Sequence, residues 1–245
     1  MLSLVGIGLW DEKDILVSGI EACKLADRVY CELYTAAWGG NLKKLGKMIG
    51  KEIEVLKRED LEENSDRLIE EAKRWDIVIL VPGDPLTATT HIHLVMECKK
   101  RCIDFKIIHS SSIYTAVAKT GLQLYKFGRT TTVPAASGKY AATSFFDAIV
   151  ENAKAGLHTL VLLDRDMGTK QGLRILKDVE RKKGKKILRH AVLCSKIGSK
   201  AEKIVYGKVS DLLEADLPPP AVIIIPGKLH FVEKEFLETL DSCRR

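Results

Sequence analysis

The sequence predicts an α/β protein built from two domains. Three observations carry that prediction. Short continuous apolar runs, such as residues 2–7 and Ile77–Val81, read as strands buried on both faces. Between them apolar residues recur at helical spacing, as at 16, 20, 23 and 26. The two kinds of segment alternate along almost the whole chain, as strands separated by crossover helices do.

The elements follow in order. Residues 2–7 form a first strand, and residues 15–27 a helix. Residues 29–33 and Ile53–Leu56 are the next strands. Leu61, Leu68, Ala72 and Trp75 fall on one helical face. Ile77–Val81 is a buried strand that ends on Pro82-Gly83-Asp84-Pro85. A helix is expected from about Thr89 to Cys102, a strand at 106–109, and a short helix after Ser110-Ser111-Ser112. The second half repeats the alternation less regularly. It has helices at 145–152 and 172–182, and strands at Thr159–Leu163, 191–194, 204–206 and Ala221–Ile225. Val232, Phe236, Leu240 and Cys243 stripe a last helix. The boundary is placed near Ser111, giving domains 1–111 and 112–245. No Gly- or Pro-rich linker marks it, so the two halves are expected to be closely joined.

Composition narrows the class without choosing a partner. The 245 residues are 46% hydrophobic and 29% charged, too apolar for intrinsic disorder. No short period suggests a collagen, a coiled coil or a repeat array. Lys and Arg number 39 against 33 Asp and Glu, a net charge of +6 spread over a long chain. Nucleic-acid proteins usually concentrate such an excess on one face. The basic run at 181–186 reads as a solvated turn. Cys31 and Cys194 lie in apolar strands, and Cys23, Cys98 and Cys243 at apolar helical positions, as small buried hydrophobes do. Free thiols point to a reducing cytosol. No metal site is expected, because no CxxC or HxxxH occurs. The N-terminus lacks a basic flank and reads as a strand, not a signal peptide. No apolar run approaches the ~18 residues of a membrane helix.

Ligands of open α/β sheets bind at the carboxyl ends of strands, so the residues there are the candidates. Gly6-Ile7-Gly8 follows the first strand, allowing either a close backbone approach to a ligand or a tight turn with positive φ. The third glycine of a dinucleotide fingerprint is missing, which counts against a nicotinamide dehydrogenase. Asp84 reads as a helix N-cap with Pro85 in the first turn, or as an acceptor for a cationic or amino-bearing ligand. The three serines at 110–112 cap the next helix or offer donors. Asp164, Arg165 and Asp166 read as solvated. The six histidines form no assignable Ser/His/Asp set, and no GxSxG or Walker A motif occurs. Group transfer from a reactive cosubstrate remains, because it requires only binding and alignment.

Several stretches together resemble one family. They are Gly6-Ile7-Gly8-Leu9 with Asp11 to Ile15, Glu32-Leu33-Tyr34-Thr35, Pro82-Gly83-Asp84-Pro85-Leu86 through His91, and Ser112-Ile113-Tyr114. Further along come Thr120-Gly121-Leu122 with Tyr125-Lys126-Phe127-Gly128, Gly156-Leu157-His158-Thr159-Leu160, and Pro226-Gly227-Lys228-Leu229-His230. The chain is similar to the diphthine synthase family, archaeal form, within the tetrapyrrole-methylase-like class of S-adenosylmethionine-dependent methyltransferases. Leu9-Trp10 replaces the Pro-Gly that tetrapyrrole methylases carry after the first GxG, and Tyr-Lys-Phe-Gly has the diphthine synthase flavour.

That resemblance implies two α/β domains of the tetrapyrrole-methylase type, with the cosubstrate in the cleft between them, and a cytoplasmic homodimer. It implies trimethylation of the amino group of the 3-amino-3-carboxypropyl histidine of translation elongation factor 2, giving diphthine in diphthamide biosynthesis. It implies S-adenosylmethionine contacts at Leu9, Asp84, Thr87, Ser112, Ile113, Leu163, Ile197 and Ala221. No catalytic base is nominated, and no metal, membrane or direct nucleic-acid partner is implied. The competing readings are a tetrapyrrole (precorrin-type) methylase and, from the basic run, an RNA-binding module.

Overall fold

The computed structural model describes residues 1–135 and 143–242. Cys243, expected on the last helix, lies outside the described residues. The chain divides into two compact units, Met1–Tyr114 and Thr115–Arg245.

The first unit holds β1 (Leu2–Gly6), α1 (Val17–Leu25), β2 (Arg28–Glu32), α2 (Leu42–Ile49), β3 (Ile53–Leu56), α3 (Arg58–Glu62), α4 (Ser65–Ala72), β4 (Ile77–Val81), α5 (Ile92–Lys100) and β5 (Phe105–Ile108). Its strands form one parallel sheet in the order β3-β2-β4-β1-β5. Both faces are covered, which is why β4 reads as an unbroken apolar run and β1 is interrupted only by the buried Ser3 and closed by Gly6. Leu2, Leu4, Ile77 and Ile79 pack on one face against Leu68 and Ile69 of α4 and Leu94 and Cys98 of α5. Val5, Cys31, Val78 and Leu80 pack on the other against Cys23 of α1 and Leu45 and Ile49 of α2.

The second unit continues from α6 (Ile113–Ala116), which straddles the division, through two short 3₁₀ turns. Then come β6 (Thr131–Val133), α7 (Phe145–Ala155), β7 (Thr159–Leu163), α8 (Thr169–Lys182), β8 (His190–Ser195), β9 (Lys203–Lys208), α9 (Val209–Leu212), β10 (Ala221–Ile225) and α10 (Phe231–Ser242). The sheet order is β6-β7-β10-β8-β9, parallel only between β6 and β7. This mixed pairing accounts for the less regular alternation in the second half. Phe146 and Ile149 of α7, Leu173 and Leu176 of α8, and Leu212 of α9 close its core over Val161, Leu193 and Ile223.

Four local readings change. The stripe from Leu61 to Trp75 is two helices, broken at Asn64, and Trp75 is left exposed. Helix α2 has no counterpart among the sequence expectations. It starts on Asn41, whose side chain accepts from Lys44 N, and stops at Gly50 in the left-handed region. Strand β6 has only three residues, too few for a periodic signal. The helix expected from Thr89 begins at Ile92, after a turn in which Ala88 has φ +57.

Candidate active site

In the first sheet, the connections from β1 run to β2 and β3 on one face, and those from β3 return through β4 to β5 on the other. The central neighbours β1 and β4 therefore send their chains in opposite directions. Such a reversal opens a crevice outside the carboxyl ends of the two strands.

Two glycines join the loops at that edge. Gly8 and Gly83 pair in an antiparallel bridge, with Gly83 N donating to Gly8 O at 2.8 Å and Gly8 N to Gly83 O at 3.2 Å. Gly8 has φ +77, and a Cβ there would lie 2.3 Å from Asp14 Cβ. The tight-turn reading of GxG is thus met. Gly83 also has a positive φ, +70, but among the described residues the space where its Cβ would stand holds only Ser111 O, at 4.0 Å. The backbone there is open to close approach by a ligand.

Asp84 caps no helix. Its Oδ1 accepts from Leu86 N at 3.0 Å and Thr87 Oγ1 at 3.1 Å, closing a local turn. Its Oδ2 accepts from His109 Nδ1 at 2.7 Å and Ser110 N at 3.2 Å, just past β5. These bonds pass over the end of β1, where Gly6 makes room. A Cβ on Gly6 would lie 2.5 Å from Gly83 O and 2.7 Å from Ser110 Cβ. Burial raises the Asp84 pKa, but the Leu86 and Ser110 amides and His109 outweigh it, so the carboxyl stays below its ordinary value.

Two more histidines meet carboxylates. Buried Glu32, at the end of β2, accepts from Tyr34 N and Thr35 N at 3.0 and 3.1 Å and contacts His91 Nε2 at 3.3 Å. In the second unit, His158 Nε2 donates to Glu233 Oε1 at 3.0 Å, while His158 Nδ1 accepts from Gly227 N at 2.9 Å. Glu233 also pairs with Lys126 and accepts from Gln123 N and His230 N. It is held down to about 2: burial opposes ionisation, and Lys126 with the two amides and His158 overcomes it. None of the three pairs is assignable from sequence, because the partners lie 59, 25 and 75 residues apart. Among the described residues no group of three or more His, Cys, Asp or Glu could hold a metal ion.

The family model for Tetrapyrrole (Corrin/Porphyrin) Methylases matches residues 1–213. A diphthine synthase of Methanocaldococcus jannaschii is 44% identical over 98% of both chains, and one of Methanococcus aeolicus is 43% identical over the same shares. The chain belongs to the diphthine synthase family. It is an S-adenosylmethionine-dependent methyltransferase of the tetrapyrrole methylase fold. A crystal structure of a diphthine synthase superposes with a TM-score of 0.89 at 36% identity, covering 98% of this chain and 96% of that one. A putative diphthine synthase from Entamoeba histolytica gives 0.90 at 35% identity, covering 98% of each.

The positions that the family resemblance nominates fall into two groups. In the first unit, Leu9 follows the Gly8 bridge, Asp84 and Thr87 share a hydrogen bond in the turn after β4, and Ser112 and Ile113 start α6. Ser112 Oγ accepts from Tyr114 N at 3.3 Å, as the capping reading expects. In the second unit, Leu163 ends β7, Ala221 begins β10 opposite Ser195 of β8, and Ile197 follows β8. Because β10 runs antiparallel to β7 and β8, all three sit at one edge of that sheet. The first edge has features that suit a nucleoside-bearing methyl donor. It offers the open space at Gly83 and, on the segment after β2, two buried polar atoms without partners among the described residues, Tyr34 OH and Trp38 Nε1.

Proposed function

We propose that this methyltransferase acts on translation elongation factor 2, at the amino group of its 3-amino-3-carboxypropyl histidine, and adds three methyl groups to give diphthine. The observation that carries the reading is the 44% identity to a diphthine synthase over 98% of both chains. We propose Leu9, Asp84, Thr87, Ser112 and Ile113 of the first unit and Leu163, Ile197 and Ala221 of the second as its cosubstrate contacts, with the domain boundary near Ser111. The enzyme works in the cytoplasm as a homodimer on a protein substrate.

Bound S-adenosylmethionine supplies a methyl group already activated on sulfonium, so no metal or covalent nucleophile is required. The chain's task is alignment and exclusion of water. Gly83 allows close backbone approach, and Gly8 makes the tight turn that pairs with it. Asp84 ties the turn after β4 to the segment after β5, and so sets the shape of the edge. Its acceptor positions are taken by Leu86, Thr87, His109 and Ser110, so it shapes the site rather than offering a free hydrogen-bond acceptor.

Calorimetry with S-adenosylmethionine and S-adenosylhomocysteine tests the cosubstrate, and binding of both is expected. Transfer of labelled methyl to elongation factor 2 carrying the precursor side chain tests the acceptor. Turnover of a corrinoid precursor with an unlabelled elongation factor would instead favour a tetrapyrrole substrate.

A further inference from the structure

We propose that His109 is the proton acceptor of the methyl transfer. This rests on the functional reading above, in which the acceptor is an amine. Such an amine is mostly an ammonium ion at neutral pH and has no lone pair to offer. It must lose a proton before the first methylation and again before each later one. The departing thioether is neutral and takes none of them.

The geometry singles out His109. It directly follows β5, at the same edge of the sheet as Gly8 and Gly83. Asp84 is ionised and can only accept, so the 2.7 Å bond requires the proton of the imidazole to be on Nδ1. The lone pair is therefore on Nε2. The His109 side chain is 69% exposed, and that nitrogen can reach solvent or a docked substrate. Asp84, with its side chain only 9% exposed, fixes the ring and stabilises the imidazolium that forms. The other two carboxylate-paired histidines are unsuited: His91 and His158 have side chains 1% and 0% exposed. His158 further spends Nδ1 on Gly227 N.

The step balances simply. The N–H bond of the ammonium breaks, its electron pair stays on nitrogen as the nucleophile, and the proton passes to Nε2 and then to water. Among the described residues the charged group bonded to His109 is Asp84, in the turn after β4; Asp14 reaches the adjacent Ser110 only through its backbone carbonyl, at 3.4 Å, while its carboxylate accepts from Trp10 N at 2.7 Å. Lys106 precedes on β5 itself.

The test is single-turnover methyl transfer from S-adenosylmethionine to elongation factor 2 carrying the 3-amino-3-carboxypropyl histidine, from about pH 5 to about pH 9. H109Q should be slower by about 10²-fold at neutral pH and should change the dependence of the rate on pH, with S-adenosylhomocysteine binding unchanged. Added imidazole should restore the rate of His109→Gly. An H109Q enzyme with the wild-type rate and profile overturns the proposal. So does a His109→Gly variant that binds S-adenosylhomocysteine normally yet stays slow in saturating imidazole. A wild-type enzyme that transfers no methyl at any pH rejects the amine acceptor itself, a different result from an active wild type matched by its variant.

Discussion

Gly8 and Gly83 exchange two backbone hydrogen bonds, at 2.8 and 3.2 Å, and so join the loops that leave the two central strands of the first sheet. The glycines serve different needs. A methyl on Gly8 would meet Asp14 Cβ at 2.3 Å, whereas one on Gly83 would meet no described residue closer than Ser111 O at 4.0 Å. Gly8→Ala should therefore destabilise the fold by about 2–3 kcal/mol, from left-handed strain plus collision. Gly83→Ala should lose only about 1–2 kcal/mol of stability. Its larger effect should be weaker S-adenosylhomocysteine binding, because the methyl fills the proposed ligand space. Thermal melts and calorimetry on both variants check this; equal affinities for Gly83→Ala and wild type would count against the site.

Asp84→Ala leaves the Leu86 and Ser110 amides without their acceptor. A loss of about 2–4 kcal/mol is expected, more than the ~1 kcal/mol of a missing helix cap. Asp84→Asn keeps one oxygen and should lose less. Denaturant melts that rank the two variants equally would reject this view of Asp84.

The strand map is largely legible in the sequence, and the reason is specific. Ile77–Val81 is covered by helices on both faces, so every residue is apolar and the run stands out. Asp84 misleads for the opposite reason. Asp-Pro is a local signal for a cap, while the partners of its Oδ2, His109 and Ser110, come from 25 and 26 residues away. The GxG turn can be read locally because its constraint, the positive φ of Gly8, is local. The His158–Glu233 pair spans 75 residues and leaves no local trace. Helix α2 is legible too, with Leu42, Leu45 and Ile49 at helical spacing between Asn41 and Gly50, although the sequence expectations omit it; at eight residues it offers only two turns of that pattern.

Glu233 links the Lys126 turn, His158 and the start of α10. Its folded-state pKa, about 2, lies below the ordinary 4.5, so its contribution is complete above pH 4.5 and is lost as pH falls toward 2. The contribution is about 3 kcal/mol. Glu233→Gln should melt lower than wild type at neutral pH and show a smaller further loss on acidification. Melting temperatures that decline in parallel for the two proteins would contradict this.

Among the described cysteines, Cys23, Cys31, Cys98 and Cys194 are buried and Cys102 is exposed. Burial pushes the Cys23 thiol up to about 12 and raises those of Cys31, Cys98 and Cys194. A thiol reagent at neutral pH should label Cys102 fast and these four only on unfolding. Peptide mapping that finds Cys31 or Cys194 labelled in the native protein would contradict their placement in the cores.

The most direct measurement is the intact mass of elongation factor 2, carrying the 3-amino-3-carboxypropyl histidine, after incubation with this enzyme and S-adenosylmethionine. The proposed activity predicts a gain of three methyl masses on that side chain. An unchanged mass, with S-adenosylmethionine shown to bind, would contradict it.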